Sequence, residues 1–191
     1  MEYKDLLKKR RAIRDFEDRQ VPTDIIKEII RETTLAPTAS NGQPCRFIII
    51  HDRFLMKRLS DESKKNLLAE VDRNPNSRLM MYRDILQAET FNVYYNAPCL
   101  VLLVGSKTVL SLDVDLGLTA AYFMFSATER GLGSCWINLG AFIRDQKLLS
   151  EIGMPEDSRI VAPIILGYPK AIPEASERHD PEILKVIQTA S

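Results

Sequence analysis

Apolar positions along the chain fall into short blocks that switch between a helical and an extended rhythm. Leu6 and Leu7 mark a short helix over residues 3–10, and residues 11–16 are extended. Ile25, Ile26, Ile29 and Ile30 recur at helical spacing after Thr23, whose hydroxyl suits an N-cap, and Pro37 closes the pattern. A polar loop follows over residues 38–44, with Asn41-Gly42 as its turn signal. Residues 47–50 are a buried strand, 54–71 an amphipathic helix, 73–77 a loop around Pro75, and 79–95 a further helix. Residues 99–104 form a second buried strand. The helix over residues 114–130 is almost wholly apolar across 116–125, which puts it in the middle of the protein or of a dimer. Gly131 suits the left-handed stop after it. A short strand (134–137), a helix (145–152) closed by Gly153 and a last strand (160–166) follow. From Tyr168 onward, Pro169, Pro173 and Pro181 keep the tail extended until an apolar stretch at 183–187. No internal repeat or linker interrupts the 191 residues, so they form a single domain, with a sheet covered by helices.

Composition narrows the function classes. Twenty-six basic and twenty-six acidic side chains cancel. Zero net charge provides no overall field for nucleic acid or anionic lipid, so a partner must be recognised at a local site. The polar start has no secretory pattern, and the apolar runs near residues 97–105 and 160–167 are too short to span a bilayer. Cys45, Cys99 and Cys135 are odd in number and widely spaced, with no zinc pattern or disulfide framework, which fits a reducing cytoplasm.

Three segments could carry chemistry. The first, Arg10-Arg11-Ala12-Ile13-Arg14, has three guanidinium groups where a helix gives way to extended chain, so Arg10, Ala12 and Arg14 can share a face. Converging arginines fit a phosphate; the same residues could also be a solvated basic patch. The second is the small-residue loop Leu35-Ala36-Pro37-Thr38-Ala39-Ser40-Asn41-Gly42-Gln43-Pro44. Its backbone can approach a flat ligand while Ser40, Asn41 and Gln43 offer donors and acceptors, or it is an ordinary connection. The third runs from Gly131 to Phe142. Its glycines can expose backbone N–H groups, although no dinucleotide fingerprint or P-loop is present. Trp136 alone would suit the core, His51 the surface, and Cys135 a buried structural role.

Taken together, the segments resemble the nitroreductase family of FMN proteins. RRAIRDF is similar to the family's RRSxRxF start, LAPTASNGQPCRFIII to APSxxNxQPWxFxVV, GLGSCWI to the family's own form, and ILGYPK to LGYP before the tail. The resemblance implies an α+β fold: a three-layer α/β/α sandwich with a central, mainly antiparallel sheet, in an intertwined homodimer. The tail, from about residue 168 to 191, reaches over the partner. It implies that Arg10, Arg11 and Arg14 hold the FMN phosphate and its ribityl and pyrimidine side. Ala12 stands where the family usually has serine. Pro37, Thr38, Ala39, Ser40, Asn41 and Gln43 form the loop offered to the other subunit's flavin. Cys45 replaces the family's usual tryptophan, which opens space near the cofactor. Trp136, Ile137, Asn138, Leu139 and Gly140 supply the backbone facing the flavin ring edge, with Asn138-Leu139 as an insertion. Arg178 or His179 brings the tail's basic group to the phosphate. Residues 88–96 border the pocket, with Asn92 as the candidate there.

The implied activity is hydride transfer from NADH or NADPH through FMN to a nitroaromatic, a quinone or a similar small acceptor, in two half-reactions at one place. The flavin does the hard chemistry, so no catalytic acid, base or metal is required. Two alternatives are a narrower flavin enzyme of the same fold and a flavin-binding or redox-sensing dimer without turnover. Neither nucleic acid nor membrane is expected as a partner.

Overall fold

The computed structural model describes residues 2–188, and the last three residues of the predicted tail lie outside that range. Four strands form one sheet in the order β1-β2-β4-β3, every pair antiparallel. They are β1 (Arg46–Ile50), β2 (Cys99–Ser106), β3 (Gly133–Trp136) and β4 (Ser158–Gly167). The helices are α1 (Tyr3–Lys9), α2 (Thr23–Thr33), α3 (Arg53–Arg73), α4 (Arg83–Gln87), α5 (Leu112–Glu129) and α6 (Gln146–Glu151).

Strand β2 explains the layering. Its side chains alternate between faces, as an extended backbone requires. Leu100, Leu102 and Val104 join one apolar cluster with Met56 and Leu59 of α3 and Leu148 of α6. Cys99, Val101 and Leu103 join a second cluster with Ile26 and Ile29 of α2 and Leu116, Ala120 and Phe123 of α5. A strand buried on both faces reads as the unbroken apolar run seen in the sequence. The result is the α+β sandwich of three layers, sheet in the middle.

Four local expectations change. Residues 79–95 are not one helix. A 3-10 turn at Arg78–Tyr82 runs into the short α4, and turns occupy residues 89–96. Lys64 takes the carbonyls of Ala88 and Phe91, the Asn92 side chain accepts from the Tyr94 N–H, and Tyr95 and Asn96 both have positive φ. Those bonds replace the helical ladder. Thr23 is not the N-cap: Pro22 holds that position, and the Thr23 hydroxyl lies 3.3 Å from His51 Nε2 instead. Leu6 and Leu7 do not anchor α1, which has no buried residue. Strand β1 is an edge strand, so only Ile50 is fully buried there.

Gly133 and Gly167 face each other in the β3–β4 register. A methyl group on Gly133 would come within 2.8 Å of three Ile13 carbons, and one on Gly167 within 2.7 Å of the Phe16 ring. The bare backbones therefore form a seat on which Ile13 and Phe16, both buried, bring the arginine segment against the sheet. Overfilling such a contact costs about 1–3 kcal/mol. Gly133→Ala should lower unfolding free energy by that amount in urea denaturation. Equal stability of wild type and Gly133→Ala would mean that the seat is not tight.

Candidate functional site

The seated segment is pinned by backbone bonds. Ile13 N–H donates to Ser134 O at 3.1 Å and Glu17 N–H to Tyr168 O at 2.9 Å, and Ala12 forms a parallel bridge with Ser134. With Ile13 and Phe16 turned inward, Ala12 and Arg14 are exposed and Arg10 half-exposed. Arg10, Arg11, Ala12 and Arg14 line one cavity of about 510 Å³, and Arg178 of the tail joins them. Glu174 is the one carboxylate in that lining. His179 is exposed and does not line it.

The guanidinium groups are not equivalent. Arg11 turns back onto the carbonyls of Lys8 and Arg10, closing the end of α1, and its Nε is buried without a partner among the described residues. Arg14 lies 5.7 Å from the centre of the Tyr95 ring, a cation–π contact. Burial pushes the Cys135 thiol up, while the charges of Arg14 and Arg10 pull it down.

The loop of residues 37–43 is built rigidly. Buried Asp115, in the first turn of α5, accepts from Ala39 N–H at 2.9 Å and from the Ser111 hydroxyl at 2.7 Å. Thr38 Oγ1 accepts from Gln43 N–H at 3.1 Å, and Gln43 Nε2 donates to Asn41 Oδ1 at 2.8 Å. Ser40, Asn41 and Gln43 have φ of 50°, 54° and 44°, a region that costs non-glycine residues energy and clusters at functional sites. Pro37, Ala39, Ser40, Asn41 and Gln43 are exposed, and Thr38 is half-buried. This loop does not line the arginine cavity. Cys45 sits beneath it in a small cavity with Thr33, Thr34 and Thr119, where burial pushes its thiol up to about 12. At neutral pH it is therefore a neutral wall rather than a nucleophile.

Past the end of β3, Ile137 N–H donates to Pro163 O at 2.8 Å, and a 3-10 turn covers Asn138–Ala141. The turn is held from three sides. Tyr94 donates to Gly140 O at 2.8 Å, Ser63 to Leu139 O, and Asn66 Nδ2 to Phe142 O at 2.8 Å. Burial pushes the Tyr94 phenol up, so it remains a donor. A methyl on Gly140 would come within 2.4 Å of the Tyr94 ring, which makes glycine the residue that fits. The amides of Ile137 and Gly140 are both spent inside the chain. Trp136 is half-buried, and its ring borders a different cavity with Asn138, Phe142 and Arg159.

The chain thus gathers Arg10, Arg11, Ala12, Arg14 and Arg178, and leaves residues 37–43 and 136–140 outside that cavity. Asn92 is not a free ligand: it is buried and bonds to Tyr94 N–H and Asn96 Oδ1. The residue of that stretch that meets the arginines is Tyr95, which no sequence spacing singles out. Asp115 was detectable in principle as a carboxylate directly before the apolar run of residues 116–125. Among the described residues no cluster of His, Cys, Asp and Glu could hold a metal ion, and no helix is long and apolar enough to cross a membrane.

Residues 7–168 match the family model for the nitroreductase family. The chain belongs to that family. A protein of Archaeoglobus fulgidus with the provisional name NADH dehydrogenase/NAD(P)H nitroreductase is 27% identical over 91% of this chain and 90% of its own length. Iodotyrosine deiodinase of Thermotoga neapolitana is also 27% identical, over 86% of this chain and 87% of that protein. A Bacteroides fragilis nitroreductase crystallised with bound FMN superposes with a TM-score of 0.81 at 22% identity, covering 99% of this chain and 100% of that one. That similarity carries the fold.

Proposed function

We propose that this nitroreductase-family chain is an FMN-dependent oxidoreductase that takes hydride from NADH or NADPH and delivers it to a nitroaromatic, a quinone or a similar small acceptor. The observation that carries the reading is the arginine cavity. Four guanidinium groups line it against one carboxylate, a donor set suited to a phosphate monoester. Each charge-assisted hydrogen bond there contributes roughly 1.5–3 kcal/mol. Arg10, Arg14 and Arg178 bind the phosphate end and its neighbouring chain, while Arg11 mainly closes α1. The amides of Asn138 and Leu139 serve as backbone donors to the ring edge, since those of Ile137 and Gly140 are taken. FMN, when bound, supplies the two-electron chemistry. The residues around it bind, orient and provide fixed positive charge, and none is assigned as an acid or base.

The site is completed by a second copy. Val114, Leu118 and Tyr122 recur at i, i+4 and i+8 on α5, and all are exposed in the single chain. Ile183, Leu184, Val186 and Ile187 of the tail are exposed too. Apolar surface of that extent calls for a partner. In the homodimer the rigid loop of Pro37, Thr38, Ala39, Ser40, Asn41 and Gln43 faces the other subunit's cofactor, and the tail beyond Arg178 crosses over that subunit. The three free thiols fit a cytoplasmic setting. A second reading, a narrower reductive enzyme, is favoured by the likeness to an iodotyrosine deiodinase and by the small Cys45.

Replacing Arg10 and Arg14 together by alanine should weaken FMN binding by about two orders of magnitude or more, with an unchanged far-ultraviolet circular dichroism spectrum. Full flavin content in the double variant would put the phosphate site elsewhere. Sedimentation of the wild-type protein at micromolar concentration should give a dimer; a monomer carrying a full complement of FMN would contradict the shared site.

A further inference from the structure

Helix α3 turns a buried polar face toward two loops, the 88–96 segment, whose Tyr95 meets Arg14, and the turn after β3. Ser60 Oγ accepts from Val93 N–H at 2.8 Å, and Lys64 Nζ donates to the carbonyls of Ala88 at 2.6 Å and Phe91 at 3.0 Å. Ser63 and Asn66, on the same helix, hold the carbonyls of Leu139 and Phe142. One rigid element therefore ties down both the 88–96 segment and the turn after β3.

Lys64 is the unusual member. It is 9% exposed, and among the described residues its ammonium pairs with no carboxylate. Burying an unpaired ammonium is a costly way to stabilise a fold, because its hydration must be replaced by a few fixed dipoles. What it supplies instead is geometry. Residues 89–96 have no helical ladder of their own. Two carbonyls of the segment from Ala88 converge on one ammonium. From there a short series of contacts leads to the site. The Phe91 ring meets the Tyr95 ring edge-on, with centroids 5.7 Å apart and planes at 88°. Tyr95 is held at φ of 53°, followed by Asn96 at 52°. The Arg14 guanidinium lies 5.7 Å from the Tyr95 ring centre.

We infer that Lys64 is a positioning residue for the cofactor site: by fixing the Phe91 carbonyl it sets the Tyr95 ring, and the Tyr95 ring sets the Arg14 guanidinium. Lys64 touches no substrate or cofactor and acts only through this series. Asn66 and Ser63 do the corresponding work for the turn carrying Asn138 and Leu139. The inference deepens the proposed function and rests on it, because Arg14 matters only if the cavity binds FMN.

The test compares Lys64→Met and Lys64→Arg with Val71→Ala, a core truncation on the same helix that removes none of the hydrogen bonds to either loop. FMN affinity is measured by fluorescence titration, and amide hydrogen exchange is followed across residues 88–96. Lys64→Met should speed exchange in that segment and weaken FMN fivefold or more, the size of a lost cation–π and orientation contribution. Lys64→Arg, which keeps the cation, should restore part of the affinity. Val71→Ala should leave affinity within about twofold even at a lower melting temperature. Should Lys64→Met fail to fold, Tyr95→Leu breaks the series without touching α3 and should weaken FMN similarly. Wild-type affinity in Lys64→Met or Tyr95→Leu, or an equal loss in Val71→Ala, would overturn the inference. A wild-type protein that takes up no FMN contradicts the proposed function itself; in that case unchanged exchange in Lys64→Met would also overturn the role of Lys64 as the tie.

Discussion

The contact on which the rest of the site depends is the seating of Ile13 and Phe16 on the paired backbones of Gly133 and Gly167. Two buried apolar side chains, separated by a pair of exposed residues, fix a stretch of chain that has only isolated bridges to the sheet. Because Ile13 and Phe16 point inward, Ala12 and Arg14 must point outward. The same seat lets the segment lie against β3, close enough for Arg10 and Arg14 to act on the Cys135 thiol. Gly133 of GLG and Gly167 of LGYP thus have a packing reason: a side chain at either would lift the arginine segment away from the sheet.

Charge placement follows from that constraint. Whole-molecule neutrality hides a local excess, since the cavity collects Arg10, Arg11, Arg14 and Arg178 against Glu174. Several guanidinium groups elsewhere are matched: Arg130 with Glu32 and Arg58 with Glu151, for example, and the Arg130 hydrogen bond holds the Glu32 carboxyl below its usual range. Unmatched guanidinium groups around a cavity signal a missing anion more clearly than any total charge does. Arg11 is a partial exception, being occupied with the carbonyls at the end of α1.

Much of the fold was legible in periodicity. The apolar run at 99–104 foretold a strand buried on both faces, and Gly131, with φ of 74°, stops α5 as expected. The largely apolar helix was expected in the middle of the protein or of a dimer; the single chain buries one side of it and leaves Val114, Leu118 and Tyr122 exposed. The arginine segment was legible because its residues act locally. What escaped depended on distant side chains. The helix expected over 79–95 breaks because Lys64, fifteen or more positions earlier in the chain, captures its carbonyls. Tyr95 escaped because nothing in its neighbourhood encodes a meeting with Arg14, and Asn92 misled because a short polar side chain serves a turn as readily as a ligand.

The central claim is that the cavity exists to hold FMN for hydride transfer. Its most direct test is the visible absorption spectrum of the purified protein reconstituted with FMN, followed anaerobically on addition of NADH and then NADPH. The account predicts bound-flavin bands that bleach with at least one of the two nucleotides and return on addition of a quinone or nitroaromatic. A protein that stays colourless after incubation with FMN would contradict it.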